Sequence, residues 1–302
     1  MNAIEAMGAE IAYQVEDLSR QELPIQSKNC LFIGSGDSYV AGLAAFHVSG
    51  GRALCCYPAD LLGNPSLANG RNVFVVSISG NTKANILAAK VAGRHSNCVT
   101  AITARTVSPL ATACDRAIEL KYRSAGVNTS RTISFTSSML ACISLTTKFQ
   151  MPNLTWAYRQ AERQAKRLTR RIGNKSTYFI LGNALMHPPA IYGALKFNEI
   201  FGVKAIAHQV EDFCHSPLFS VKKDSQVIVI GGDGKHLNDR LVQEGFSSVH
   251  ADFKGTGIEQ LMQSTFFMQL LVLKLAQGRK LTTCYFLKNK KLLRMSSDFI
   301  YD

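Results

Sequence analysis

Short apolar runs alternate with helical patterns along the first half of the chain. The runs typical of buried strands lie at residues 30–33, 53–57, 73–78, 99–103 and 117–120. Alanine-rich stretches with helical spacing lie between several of them. Strands that alternate with helices form parallel sheets covered on both faces, so the pattern predicts a doubly wound parallel sheet.

The same alternation begins again in the second half. Residues 178–181, 227–230 and 249–252 have the pattern of strands, while residues 189–201 and 260–277 have that of helices. We therefore predict an α/β fold with two tandem doubly wound domains: residues 1–155 with a leading helix, and residues 156–302 with a C-terminal tail. The halves share little sequence identity, so this prediction depends on the order of the elements.

The composition is that of a globular protein. Of the 302 residues, 46% are hydrophobic and 18% are charged. No apolar run reaches the roughly 20 residues that cross a bilayer, and the N-terminus lacks the features of a signal peptide, so we expect a cytoplasmic protein. The eight cysteines include no CxxC pair, which favours reduced core thiols over a zinc site of the common spacing.

The net charge is +13, which attracts anions such as nucleic acids, phosphorylated metabolites or acidic lipids. The densest basic run, residues 159–175, is spaced like one long helix and contains no aromatic residue for stacking. A solvated helix face is therefore favoured over a nucleic-acid surface. We expect neither nucleic acid nor membrane as a partner.

Two loops rich in glycine and hydroxyl groups follow predicted strands and open predicted helices. Their candidate ligand-binding residues are Gly36, Ser38, Ser77, Ser79 and Thr82. Such positions offer backbone N–H groups and the positive end of a helix dipole to an anion, and the hydroxyls add neutral donors. A helix N-cap is the simpler interpretation of one loop alone. Two loops in the order of one doubly wound sheet favour a phosphate site.

The glycines do not form a dinucleotide fingerprint. Gly34 and Gly36 are followed by Tyr39 where a third glycine would stand, and there is no Walker lysine. Dinucleotide binding is therefore disfavoured. We predict no organic cofactor and no metal.

These loops, with residues 7–11 ahead of them, resemble the sugar isomerase (SIS) domain family. The likeness extends over nearly the whole chain in the order of tandem SIS domains, which have a flavodoxin-like fold. The chain is similar above all to the isomerase domain of glucosamine-6-phosphate synthase and to archaeal-type glucosamine-6-phosphate deaminases. The resemblance implies that the serines and threonine of the two loops hold a sugar phosphate. Residues 132–136 are similar to the family's active-site stretch, which implies that Thr132 binds substrate.

Two motifs of the second half also resemble the family. Residues 193–199 look like its GALKxKE helix, and residues 211–217 look like its E-x-x-H-G-P loop. The resemblance implies that Glu199 shuttles a proton between C1 and C2, and that Asp212 stands at the acidic position of the loop. It also implies that His215 assists ring opening, often from a neighbouring subunit.

The residue types suit this chemistry. Aldose–ketose isomerisation needs one base that removes a proton and returns it to the adjacent carbon, and a partly buried carboxylate can do this. Lys196 lies three residues before Glu199 on the same helical face and could keep it ionised or bind an oxyanion. Histidine donates and accepts protons near neutral pH. The alternative is a solvated Glu199 paired with Lys196, and a His215 that braces a turn.

The chain departs from the family's pattern at several positions. Asp37 replaces a threonine of the first phosphate loop, Ile78 replaces a glutamine, and Ser216 replaces the glycine of the HGP turn. The family's tail lysine, which forms a Schiff base with the open ketose, has no clear match, and Arg294 or its neighbours align there.

We expect a phosphosugar isomerase that acts on a hexose 6-phosphate. The favoured reaction converts glucosamine 6-phosphate to fructose 6-phosphate with loss of ammonia, through an enediol or enolamine. The alternative is a non-catalytic SIS module that senses a sugar phosphate and regulates a partner. The resemblance implies a homodimer. The chain begins at Met1 with no segment for a glutaminase domain, so glutamine-dependent synthesis is not expected.

Overall fold

The computed structural model describes residues 1–301, and the strands of this part of the chain form two sheets in which every pairing is parallel. Contacts between residues group the chain into two compact units. The first unit comprises residues 16–123, residues 131–150 and the described residues from 289 onward. The second comprises residues 1–15, 124–130 and 151–288. Each unit contains one sheet, so the predicted α/β fold is confirmed.

The first unit has a five-stranded sheet in the order β2-β1-β3-β4-β5. Its strands are β1 (Cys30–Ile33), β2 (Leu54–Cys56), β3 (Asn72–Val76), β4 (Cys98–Thr103) and β5 (Arg116–Glu119). Its helices are α2 (Asp37–Val48), α3 (Pro58–Gly63), α4 (Lys83–Ala92), α5 (Pro109–Thr112), α6 (Ile133–Thr146) and α13 (Lys290–Tyr301). The residues of β1 are all buried, as a strand covered on both faces requires.

The second unit has a four-stranded sheet in the order β7-β6-β8-β9. Its strands are β6 (Thr177–Leu181), β7 (Lys204–His208), β8 (Ser225–Ile230) and β9 (Ser248–Ala251). Its helices are α7 (Leu154–Thr169), α8 (His187–Phe201), α9 (Val210–His215), α10 (Lys235–Gln243), α11 (Gly257–Gly278) and α12 (Tyr285–Lys288), and α1 (Ala3–Asp17) begins in it. Residues 1–15 and 124–130 belong to this unit although they precede its sheet in the chain.

Each sheet has its own apolar core. In the first unit, Leu31, Val73 and Val99 from three neighbouring strands pack with Leu61 and Ala88 from the covering helices. In the second unit, the core contains Phe179, Leu181, Phe213, Val227 and Val229. The parallel strands therefore carry continuous apolar runs, which is why the sequence pattern identified most of them.

The strand that the sequence analysis did not predict is β7. The basic helix also differs from its predicted extent: α7 begins at Leu154 and ends at Thr169, where residues 159–175 were expected. Asn153 caps its N-terminus by accepting a hydrogen bond from the N–H of Trp156 at 2.9 Å. No helix within residues 1–301 combines the length and apolar character needed to span a membrane.

Candidate functional site

The first sheet has a topological switch point between β1 and β3. These strands are neighbours in parallel register, with Ile33 opposite Val75. The chain passes from β1 to β2 on one side and from β3 to β4 on the other. In an open α/β sheet, the ligand crevice lies at the carboxyl ends of the strands at such a point. Both predicted phosphate loops leave the sheet there, at residues 34–36 and 77–82.

The first loop leads from β1 into α2. Gly36 precedes the helix with φ of 55°, a left-handed conformation that favours glycine. Asp37 and Ser38 form the first turn, where an acidic side chain complements the helix dipole. Ser38 is half-buried, and its N–H donates to the carbonyl of Ser35 at 3.2 Å. The loop thus places a serine hydroxyl and backbone N–H groups at the positive end of a helix.

The second loop holds two of its hydroxyls together. Ser77 is buried, and its Oγ lies 3.4 Å from Oγ1 of Thr82. Thr82 is the N-cap residue of α4, but its side chain accepts no hydrogen bond from the first turn of that helix. Oγ of Ser79 accepts from the N–H of Asn81 at 3.3 Å. The N-cap interpretation therefore does not account for the Thr82 hydroxyl.

Gly80 determines the course of this loop. Its φ is +66°, and a Cβ at this position would lie 2.2 Å from Oγ of Ser108. Its carbonyl accepts from the N–H of Leu110 at 3.0 Å. Any other residue would strain the backbone and displace Ser108.

Thr132 also belongs to the first unit. It is buried and occupies the N-cap position of α6, a helix whose residues are buried almost throughout. Its carbonyl accepts from Oγ1 of Thr136 at 3.3 Å. Its role in substrate binding stays a prediction.

The acid–base candidate Glu199 lies in the last turns of α8, in the second unit. Its Oε2 accepts hydrogen bonds from Nζ of Lys196 at 2.9 Å and from Oγ of Ser130 at 2.6 Å. Oε1 has no hydrogen-bond partner within residues 1–301, and the side chain is 35% exposed. One carboxylate oxygen is thus anchored and the other is available to a ligand.

Lys196 is the buried member of this pair. Its side chain is only 1% exposed, and its ammonium lies 5.1 Å from the ring centroid of Tyr192, within cation–π distance. A buried charge is costly without a counterion, and Glu199 supplies one to this lysine. The i,i+3 pairing inferred from the sequence is present.

Ser130, which donates to Glu199, and Cys284, which interacts electrostatically with this pair, are neighbours that the sequence analysis missed. Cys284, in the tail of the second unit, is fully buried, and its Sγ lies 3.9 Å from Oγ1 of Thr129. Burial raises the pKa of the Cys284 thiol above its usual value, and the charge of Glu199 adds to this, although Ser130, Thr129 and Lys196 act in the opposite direction. The thiol is therefore protonated at neutral pH.

The histidine loop is largely exposed. His215 ends α9 with its side chain 77% exposed, and its Nε2 lies 3.9 Å from Glu211. Asp212 is 70% exposed, and its Oδ2 lies 3.1 Å from Nδ1 of His208, within hydrogen-bond distance. His208, at the end of the unpredicted strand β7, is thus a further titratable residue of this region. The roles of His215 and Asp212 stay predictions.

The predicted residues fall into two groups. The phosphate-loop residues and Thr132 lie in the first unit, while Glu199, Lys196, Asp212 and His215 lie in the second. Within residues 1–301 there is no cluster of three or more His, Cys, Asp or Glu side chains that could hold a metal ion.

Comparison with known proteins identifies the fold. No protein-family model matches the chain. The glutamine–fructose-6-phosphate aminotransferase (isomerizing) of Sulfurisphaera tokodaii is 30% identical over 224 residues, which are 69% of this chain and 37% of that protein. The chain thus matches little more than a third of this relative's length.

Two crystal structures show the same fold over nearly the whole chain. Glucosamine-6-phosphate deaminase from Thermotoga maritima has a TM-score of 0.77 at 18% identity and covers 93% of this chain and 95% of its own. Tagatose-6-phosphate ketose/aldose isomerase from Escherichia coli has a TM-score of 0.67 at 17% identity, with 93% and 89% covered. The chain therefore has the fold of the phosphosugar isomerases, as the resemblance in its sequence implied.

Proposed function

We propose that the chain is an aldose–ketose isomerase of a hexose 6-phosphate, and that its substrate is an amino sugar. The reaction would convert glucosamine 6-phosphate and water to fructose 6-phosphate and ammonia. The observation that carries this proposal is the carboxylate of Glu199, which is held through one oxygen by Lys196 and Ser130 and keeps the other oxygen unoccupied.

The first unit supplies the phosphate site of the proposed reaction. Ser38 at the start of α2 and the hydroxyls of Ser77, Ser79 and Thr82 before α4 would donate hydrogen bonds to the phosphate oxygens. The N-termini of α2 and α4 add their dipoles, which favour a dianion. A buried serine such as Ser77 is ordered before the ligand arrives, so little side-chain freedom is lost on binding.

The second unit supplies the proton transfer. Oε1 of Glu199 would take the proton from C2 of the open-chain amino sugar, and the electron pair would form the enolamine. The same carboxyl would then return the proton to C1, which leaves an imine at C2. Water would hydrolyse this imine to the ketone and release ammonia. Lys196 and Ser130 keep Oε2 fixed, so the carboxylate is orientated before the proton moves.

Ring opening requires a group that exchanges protons near neutral pH, and we assign it to His215. This histidine is exposed, which suits a residue that acts in a homodimer, where a second copy could receive it. The proposed steps need a base and hydrogen-bond donors for the enolamine oxygen, and we propose no metal or organic cofactor for them.

A sugar-phosphate-sensing module is the second candidate. Cys284 is a tail residue that interacts electrostatically with Glu199 and Lys196, and a thiol, which has no nitrogen, cannot form an imine with a ketose. If the reaction depended on a tail lysine, this chain would bind the sugar phosphate without turning it over. The phosphate loops would then serve recognition alone.

Turnover distinguishes the two candidates. The purified chain would be incubated with glucosamine 6-phosphate and separately with glucose 6-phosphate, and fructose 6-phosphate and ammonia would be followed. We expect both products from the amino sugar, loss of both in Glu199→Gln, and unchanged rates in Glu244→Gln, an exposed glutamate of the same unit. Saturable binding of both sugars without product would contradict the enzyme and favour the sensor.

A further inference from the structure

The second sheet has a ligand crevice of its own. Its switch point lies between β6 and β8, since the chain continues from β6 to β7 at one edge and from β8 to β9 at the other. At the carboxyl ends of these strands there is a cavity of about 510 Å³, within the usual size range of small-molecule sites. Its lining includes Asn183, Met186, Ile230, Asp233, Asp252 and Lys254.

The loop after β8 brings backbone close to the cavity. Gly231 has φ of 90°, and its N–H donates to the carbonyl of Ala251 at 2.8 Å, which fixes this loop to the end of β9. A Cβ on Gly232 would lie 3.5 Å from Oδ1 of Asp252, so this carboxylate stands directly beside the glycine loop. The glycine loop and the Asp252 carboxylate therefore lie side by side in the lining of the cavity.

Asp252 lies at the carboxyl end of the strand next to the glycine loop. It directly follows β9, the strand after the glycine loop, and it lies about twenty residues beyond that loop in the sequence. In α/β units that bind nucleotides, an acidic residue at this position accepts hydrogen bonds from the ribose hydroxyls. Oδ1 of Asp252 accepts from the N–H of Phe253 at 2.9 Å, which orientates the carboxylate, and Oδ2 has no partner within residues 1–301.

The charges of this crevice differ from those of the phosphate loops. Two exposed carboxylates, Asp233 and Asp252, line it, against one ammonium, Lys254. The loops of the first sheet present serine and threonine hydroxyls in the equivalent place. Carboxylates repel a phosphate but are strong acceptors for hydroxyl groups. The buried side chains of Met186 and Ile230 add an apolar part to the lining.

We propose that this crevice binds a neutral ligand through a vicinal diol, the group shared by the ribose of a nucleoside and by an unphosphorylated sugar. Asp252 accepts from both hydroxyls of the diol, and the side-chain amide of Asn183, whose Oδ1 is taken by the N–H of Val210 at 2.8 Å, has its NH₂ left to donate. This site is separate in residues and in ligand charge from the phosphate loops, so it stands whether or not the chain is an isomerase.

Titration calorimetry on the full chain tests the proposal with four probes: adenosine, 2′-deoxyadenosine, methyl glucoside and glucosamine 6-phosphate. We expect adenosine or methyl glucoside to bind, with adenosine at least about 10-fold tighter than 2′-deoxyadenosine if the source is a nucleoside. Asp252→Ala and Asp252→Asn should each weaken that binding about 10-fold or more, while Asp298→Ala, on an exposed helix of the first unit, leaves it unchanged.

The same titrations separate this site from the phosphate loops. Ser77→Ala should weaken the binding of glucosamine 6-phosphate and leave the binding of the diol unchanged. Asp252→Ala should weaken the binding of the diol and leave that of glucosamine 6-phosphate unchanged. Circular dichroism in urea verifies that each variant is folded. The proposal is overturned if no diol binds up to about 10 mM, if 2′-deoxyadenosine binds as tightly as adenosine while methyl glucoside does not bind, or if the Asp252 variants bind the diol normally.

Discussion

The ion pair between Lys196 and Glu199 should be worth far more than a surface pair. Lys196 is 1% exposed and Glu199 is 35% exposed. Breaking a fully buried pair by removing one partner costs about 3–5 kcal/mol, whereas exposed pairs contribute about 0–1 kcal/mol. Because the carboxylate is partly solvated, we expect an intermediate coupling free energy of about 2 kcal/mol.

A double-mutant cycle measures this coupling. Glu199→Gln removes the carboxylate that pairs with the buried cation, and Lys196→Met replaces that cation by an apolar group of similar length. The unfolding free energies come from urea denaturation followed by Trp156, the single tryptophan of the chain, which lies in the same unit as the pair. A change of about 2 kcal/mol moves the midpoint by roughly 1 M urea.

The chain offers a matched control. Lys235 and Asp239 form an i,i+4 pair on α10 with both side chains more than half exposed. Their cycle, with Lys235→Met and Asp239→Asn, should give about 0.3–0.5 kcal/mol. A Lys196–Glu199 coupling no larger than this control would refute the argument that Lys196 holds the carboxylate in place.

Three further outcomes concern the first unit. Ser77→Ala should raise the KM for a sugar phosphate about 10-fold with little change in kcat, because the lost hydrogen bond serves binding in both the ground and transition states; an unchanged KM in steady-state kinetics would count against a phosphate site. Gly80→Ala should lower the unfolding free energy by at least about 1–2 kcal/mol, measured by circular dichroism in urea, because φ is +66° there and the methyl group meets Ser108; a neutral effect would contradict the loop geometry. Burial alone would raise the pKa of Asp17, but hydrogen bonds from Arg123 outweigh it and lower that pKa, so this pair should stabilise the fold above about pH 4 and not below the lowered pKa. Arg123→Met should therefore lower the urea midpoint at pH 7, and this loss should shrink as the pH falls below about 4. A loss that does not change with pH would show that the charge is not involved.

Local patterns predicted most of the fold. The apolar run at residues 30–33 became β1 with the same bounds, and residues 260–277 became α11, because continuous apolar stretches of those lengths are stable only when buried. The edge strand β7 was missed since Lys204–His208 has two alanines and charged or titratable ends, and its pairing with β6 comes from tertiary contacts.

The candidate site was predicted only in part. The spacing of Lys196 and Glu199 gave their pairing, because residues three apart share a helical face. Ser130 lies 69 residues from Glu199 in the chain and Cys284 comes from the tail, so no local pattern connects them. Side chains that meet through long-range packing leave no periodic signal in one sequence.

The proposed function requires Glu199 to move a proton between two carbons of a sugar phosphate. Proton exchange with D₂O tests this role of Glu199 whether the reaction runs toward the aldose or the ketose, and whether or not ammonia takes part. Fructose 6-phosphate would be incubated with the chain, with and without ammonium, and deuterium at C1 would be followed by NMR. We expect deuterium incorporation by the wild-type chain and by Glu244→Gln, and none by Glu199→Gln. Absence of incorporation by the wild-type chain, although it binds the sugar phosphate, would contradict an isomerase, and undiminished incorporation by Glu199→Gln would show that another group is the base.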